Sequence, residues 1–206
     1  VSADDLLVHL DDFTVRHRRG PSAAVSGVSL RLQAGERVLV SGGPASGKTS
    51  LLRGVLGLVP SSGTATVLGG PPGAPAARHA TGFGPEGRPF IPGLRLVEMV
   101  RLIARLRGAS DAAIADALSL CGLDGHSRDN PLATDVEIAR RASLAMAAAG
   151  EPRLLLLDDP WESPETLAVL DAARARGAGA IIATADPGGF PGLVDRHVVL
   201  VDGQPE

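Results

Sequence analysis

Apolar and polar residues alternate with period two over residues 6–17, LLVHLDDFTVRH, and again over 25–32, VSGVSLRL, the pattern of strands with one buried face. AGE at 34–36 reads as a turn, and RVLVSG after it predicts a buried strand running into a glycine-rich loop. From Thr49, TSLLRGVLGLV has helical spacing that ends near Pro60. Residues 69–82, GGPPGAPAARHATG, are too dense in Gly and Pro for a long element and read as loop. Three helices are predicted next. VEMVRLIARLRG at 97–108 is amphipathic, a second is capped by Ser110 or Asp111 and runs to about Cys121, and a third covers roughly 135–149 and stops at Gly150. RLLLLDD at 153–159 is a continuous apolar run closed by two acids, as in a strand covered on both faces. Ser163 and Pro164 open a further helix, by hydroxyl capping and a proline in the first turn, and Gly177 ends it. AIIATA at 180–185 and HVVLVDGQ at 197–204 read as strands, the latter with a DG turn. There is no internal repeat. The alternation predicts an α/β fold in one domain over 1–206: a mostly parallel sheet with flanking helices, an N-terminal antiparallel β subdomain and a small helical subdomain at about 90–135.

Composition then narrows the class. The 206 residues are 44% hydrophobic and 21% charged, which supports a sizeable core and excludes a disordered chain. A net charge of −3 has the wrong sign for gripping phosphate backbones, so nucleic acid is not an expected partner. The single cysteine, Cys121, excludes an internal disulfide and suits a reducing compartment. The start VSADDLLVHLDD is acidic where a signal peptide is basic, and no apolar run nears the roughly 20 residues that span a bilayer. With no direct membrane span expected, a membrane role must come through a partner.

One cation stands apart. Of the 20 Lys and Arg residues only Lys48 is lysine. A compact ammonium and a planar guanidinium are not interchangeable at a tight anion site. Lys48 lies in GGPASGKT, that is Gly42, Gly43, Pro44, Ala45, Ser46, Gly47, Lys48 and Thr49, with Ser50 following. This run matches G-x-x-x-x-G-K-[ST] and sits between a predicted strand and a predicted helix, the context the motif requires. Its glycines let backbone N–H groups turn inward around phosphate oxygens, and the following helix points its positive end at the anion. Lys48 is then expected to bridge the β- and γ-phosphates of ATP, and the Thr49 hydroxyl to ligate Mg²⁺. Asp158, at the end of LLLLD, is expected to reach Mg²⁺ through water, with Asp159 at the position of a water-activating base.

With both halves placed, the chain resembles the nucleotide-binding domain of ATP-binding cassette transporters over almost its full length. GEPRLLLLDDP looks like the family's stretch leading into the Walker B strand. TGFGPEGRPFIPGLRLVEMVRLIARLRG is similar to its Q-loop and the entry to its helical subdomain, and the ARLRG ending resembles ATPase subunits of small two-gene exporters. The resemblance implies a P-loop NTPase that binds ATP and Mg²⁺ in the cytoplasm, peripheral on the inner face of the cell membrane. It also implies a membrane permease subunit, of exporter type, docked at the helical insertion and the Glu86 region. A second cassette chain is implied too, paired head to tail so that each site joins one chain's phosphate loop to the partner's LSGGQ loop.

Several positions depart from that family pattern. Asp159 stands where the family has Glu, one methylene longer, and a misplacement of about 1 Å can cost roughly a hundredfold. Ala185, in ATAD, stands where a switch histidine is usual, and losing one preorganised donor costs about 10²–10³ in rate. Glu86 replaces the Q-loop glutamine as a charged Mg²⁺-side candidate. Glu165 takes the D-loop aspartate's place or serves its own helix dipole. His17 falls near the adenine-stacking aromatic, and either stacks on the base or is a solvated strand-end residue. LSGGQ falls on TDVEI at 134–138, or on LATDV at 132–136 after a two-residue slip, and both lack the serine and the glycines.

The T-x-x-E in that segment is expected to form a capping box, with Thr134 and Glu137 satisfying the N–H groups of their own helix. Asp135 and Glu137 would then face an incoming anion, and like unit charges about 4 Å apart repel by roughly 4 kcal/mol at an effective dielectric near 20. Arg140 and Arg141 either offset that charge or lie on a solvated face. The function this implies is ATP binding, with weak or partner-dependent hydrolysis, coupled to a permease. A heterodimer with an intact cassette is favoured over a homodimer, since self-pairing puts every defect in both sites. The alternative is a non-hydrolysing ATP-binding structural or regulatory module of a membrane complex. A small-molecule kinase is disfavoured, because Arg95, Arg101, Arg105 and Arg107 scatter around one helix instead of forming a lid.

Overall fold

A computed structural model describes residues 5–17, 23–190 and 192–206, so the first four residues of the acidic start lie outside it. β1 (Leu6–Arg16), β2 (Ala23–Gln33) and β4 (Ser61–Val67) form an antiparallel sheet in the order β2–β1–β4. The second sheet holds β3 (Arg37–Ser41), β5 (Thr81–Gly84), β6 (Leu154–Asp158), β7 (Gly179–Thr184), β8 (Arg196–Val201) and β9 (Gln204–Pro205). Its order is β5–β6–β7–β3–β8–β9, parallel up to the closing β8–β9 hairpin. The helices are α1 (Lys48–Val55), α2 (Pro75–His79), α3 (Leu96–Leu106), α4 (Asp111–Leu120), α5 (Val136–Ala148) and α6 (Pro164–Ala175).

The period of two within a strand explains why β6 must be apolar throughout. Leu154 and Leu156 enter the core shared by α1 and the antiparallel sheet, while Leu155 and Leu157 enter the core shared by α3, α4, α5 and α6. Each of the four is buried, which contributes about 1.5–3 kcal/mol per side chain. β7 divides in the same way, with Ile181 and Ala183 on one side and Ala180 and Ile182 on the other.

Three elements differ from the sequence reading. β4, SSGTATV, is largely exposed and offers no apolar stripe, so pairing to β1 holds it and burial does not. The segment 69–82 contains α2 and the first residues of β5. Gly82 carries a packing requirement there: a Cβ at that position would stand 2.1 Å from the Ala147 carbonyl oxygen, because α5 lies directly against the strand. α1 ends at Val55, earlier than the spacing implies, and Leu56 and Val59 pack on the core from the turn beyond it.

The expected caps form at two helices. Ser110 Oγ accepts from the Ala113 N–H at 3.2 Å, and Ser163 Oγ accepts from the Thr166 N–H at 3.2 Å with Pro164 in the first turn. The Thr134–Glu137 capping box does not form. α5 starts at Val136 behind Asp135, without a side-chain cap, and the Glu137 carboxylate instead pairs with Arg141 one turn on. A charge-assisted pair with a guanidinium outcompetes a neutral backbone N–H for that carboxylate.

The ARLRG ending of α3 has local structural duties. Arg105 reaches Asp111 at 2.5 Å. Arg107 donates to the carbonyls of Met146, Ala147 and Ala149 at 2.7, 3.1 and 3.0 Å, closing the last turn of α5. Burial pulls the Arg107 guanidinium down from its ordinary value to about 10. Arg107→Met strands three carbonyls and is expected to cost about 2–3 kcal/mol, measured as a lower urea midpoint. An unchanged midpoint would refute this capping role.

Candidate nucleotide site

The loop from β3 into α1 closes on backbone geometry that its residue types permit. Gly47 takes φ 98°, and a Cβ there would lie 2.4 Å from the Ala24 carbonyl oxygen, so only glycine fits. Lys48 folds back across the loop and donates through Nζ to Gly42 O at 2.7 Å, Gly43 O at 2.9 Å and Ser46 Oγ at 3.2 Å. The lone ammonium is thus held over the cradle instead of reaching into solvent. Ser50 Oγ meets His17 Nε2 at 2.9 Å, which places the end of β1 at the rim of the same loop. The α1 N-terminus supplies the free N–H groups that suit an anion.

The second half of the site comes from β6. Thr49 Oγ1 donates to Asp158 Oδ1 at 3.0 Å across 109 residues of sequence. Burial pushes the Asp158 carboxyl above its ordinary value, and the Thr49 hydrogen bond opposes that shift. The charges of Glu86 and Asp159 add to the upward push, while Arg53 opposes it. Asp158 thus feels the charge of both carboxylates that were expected at the site. Among the described residues no three His, Cys, Asp or Glu form a metal cage. A hydroxyl and a carboxylate beside a phosphate cradle fit Mg²⁺, which keeps its waters and takes further ligands from phosphates.

Asp159 sits at φ 49°, donates its N–H to Ala183 O at 2.7 Å, and accepts from the Thr184 hydroxyl at 3.3 Å. Thr184 was not foreseen as a site residue; its only sequence signal is a hydroxyl at the end of a buried strand. Ala185 follows it and brings no side-chain donor.

Beside these carboxylates a cavity of about 320 Å³ opens between the loop after β5, the first half of α5 and the segment joining β6 to α6. Glu86, Arg88, Arg140, Leu144, Asp159 and Trp161 are among its walls. Arg88 crosses its edge to donate to Leu132 O at 3.0 Å. Neither Arg88 nor Trp161 stood out in the sequence, because nothing local marks a side chain that reaches 44 residues along the chain. Arg140 is exposed, as a solvated face requires, yet both it and the half-buried Arg141 have partners. Arg140 stacks 5.5 Å over the Trp161 ring, and Arg141 joins Glu137 to Glu165, the latter at 3.0 Å. Glu165 therefore has a specific partner beyond its helix dipole.

The raised Asp158 carboxyl has a stability consequence. A group protonated more readily in the folded chain makes stability fall as pH rises from the ordinary carboxylate value near 3.8 to the raised folded value. Above that window the penalty is fully present. Asp158→Asn removes it and keeps an acceptor for Thr49, so it is expected to raise the melting temperature of the chain at pH 7. The gain should vanish below the window, and thermal melts of both chains across pH check the sign.

A phosphate-loop strand–helix unit, a β6 carboxylate bonded to its Thr, and helices on both faces of a parallel sheet define a P-loop NTPase. The family model described as ABC transporter matches residues 25–162, and the chain belongs to that family. It is 32% identical over 199 residues to an aliphatic sulfonates import ATP-binding protein of Burkholderia cenocepacia, covering 93% of this chain and 73% of that one. It is 34% identical over 208 residues to a taurine import ATP-binding protein of Mesorhizobium japonicum, covering 94% and 79%. Among solved structures, the chain superposes on one chain of a dimeric bacterial ABC transporter cassette with a TM-score of 0.87 at 21% identity, over 97% of both chains, and shares its fold.

Proposed function

We propose that this chain is the ATP-binding subunit of an ABC transporter that binds Mg·ATP firmly and hydrolyses it slowly, driving a membrane permease. The observation that carries the reading is the convergence of Lys48, Thr49 and Asp158 on one cradle, through the Lys48 contacts and the Thr49–Asp158 hydrogen bond. Lys48 would neutralise the β- and γ-phosphates, and Thr49 and Asp158 would hold Mg²⁺, with Glu86 as a further candidate ligand. His17, through Ser50, would border the base. Mg²⁺ supplies charge neutralisation at the transferring phosphoryl group. Among the chain's own residues, the shorter Asp159 and the methyl of Ala185 offer water the weakest support.

Among the described residues no helix is long and apolar enough to cross a membrane. The sulfonate and taurine relatives are named for import. Export rested on ARLRG, whose two arginines are engaged by Asp111 and by the carbonyls of α5. We therefore infer a permease that itself sets the direction of transport, with this chain peripheral on its cytoplasmic side. A second, better-equipped cassette is the favoured dimer partner, because the start of α5 carries Asp135 and Glu137 and spends Arg141 internally. Titration of Mg·ATP into the isolated chain, with phosphate release followed in parallel, tests the reading. Saturable binding with release slower than about 1 s⁻¹ supports it, and absence of binding overturns it.

A further inference from the structure

The segment that carries Asp159 onward to α6 is gripped from α5 by two consecutive arginines. The Arg140 guanidinium lies 5.5 Å from the centre of the Trp161 ring, and among the described residues it makes no ion pair. Arg141 reaches Glu165 at 3.0 Å and is braced behind by Glu137. The two contacts fall on either side of Ser163, the cap of α6, so they hold the segment at two points. Its remaining ties are internal or to β7: Thr166 Oγ1 donates to Trp161 O at 2.7 Å, Asp159 N–H to Ala183 O, and the Thr184 hydroxyl to Asp159.

Two observations mark this grip as adjustable. Trp161 is 43% exposed, with the cavity of about 320 Å³ beside it to move into. Arg141 Nε and Glu165 Oε2 are buried without hydrogen-bond partners, and a half-satisfied ionic contact gains by being remade in another geometry.

We propose that Arg140 and Arg141 are positioning residues, a clamp through which α5 sets the Asp159–Glu165 segment and hence the aim of the Asp159 carboxylate. This rests on the ATP-binding reading above for its consequence, though not for its geometry. The clamp carries no phosphate itself. It converts a displacement of α5 into a displacement of the segment that starts at Asp159.

Trp161 is the chain's only tryptophan and reports on the clamp directly. Arg140→Leu is expected to shift the segment toward open forms about two- to fivefold, the weight of an exposed cation–π contact. The readout is a rise in acrylamide quenching of Trp161. Arg140→Lys, which keeps a cation over the ring, should fall between that variant and the wild type. Glu165→Gln should raise quenching by releasing the second grip without emptying the site of a polar group. In all three, Mg·ATP affinity stays at the wild-type value while single-turnover phosphate release slows, since the cradle is untouched and only the aim of the carboxylate changes.

Unchanged quenching in Arg140→Leu overturns the clamp, as does raised quenching with unaltered phosphate release. Loss of Mg·ATP affinity in Arg140→Leu also overturns it, by placing Arg140 in the nucleotide site. A wild-type chain that binds no Mg·ATP would remove the proposed function instead, and the quenching comparison would still decide whether the arginines hold the segment.

Discussion

Lys48→Ala is expected to abolish Mg·ATP binding, lowering affinity by at least about 10²-fold, since each charge-assisted hydrogen bond to an anion contributes about 1.5–3 kcal/mol. The Lys48 ammonium contacts Gly42 O, Gly43 O and Ser46 Oγ, so it stands where backbone N–H groups would surround phosphate. Lys48→Arg is expected to fail nearly as badly. A planar fork cannot take three donors into a cradle bounded by two loop carbonyls and a serine hydroxyl. Titration calorimetry with Mg·ATP gives the affinities, and thermal unfolding confirms that both variants remain folded. Equal affinity in wild type and Lys48→Ala would sink the nucleotide reading as a whole.

The second large effect is a gain. Asp159→Glu combined with Ala185→His is expected to raise single-turnover phosphate release by about 10²–10³-fold. Asp159 already has its N–H fixed to Ala183 O and its carboxylate touched by Thr184, so an added methylene extends the carboxylate from an anchored backbone. Ala185 directly follows Thr184, whose hydroxyl touches that carboxylate, at the end of β7. Mg·ATP affinity should change little in the double variant, because neither residue belongs to the cradle. A double variant no faster than the wild type would show that hydrolysis is limited elsewhere, with the altered start of α5 the next place to look.

Much of this architecture was legible in the chain. Four consecutive leucines closed by two acids announced a strand buried on both faces, and β6 divides them between two cores as that pattern requires. Ser110 and Ser163 marked their helix starts because capping is a local contest between one hydroxyl and the next few N–H groups. β4 escaped notice for the opposite reason. Its residues are mostly exposed, and what orders SSGTATV is a partner strand about fifty residues earlier. The capping box at Thr134 misled because the motif is equally local, while the Glu137 carboxylate answers to Arg141, which Glu165 also engages.

The candidate site divides along the same line. The sequence alone determined the phosphate loop, since GGPASGKT carries its own backbone requirements and its own cation within eight residues. It also determined that the acids at 158 and 159 end a strand, because hydropathy is written in the order of residues. Only the tertiary structure decided that Thr49 and Asp158 share a hydrogen bond and that burial, aided by the charge of Glu86, raises the Asp158 carboxyl. It alone decided that Arg140 finds Trp161 and Arg141 finds Glu165. Those partners lie far apart along the chain, and side-chain contacts reach only a few ångströms. They come within range once the parallel sheet has gathered the ends of its strands at one edge.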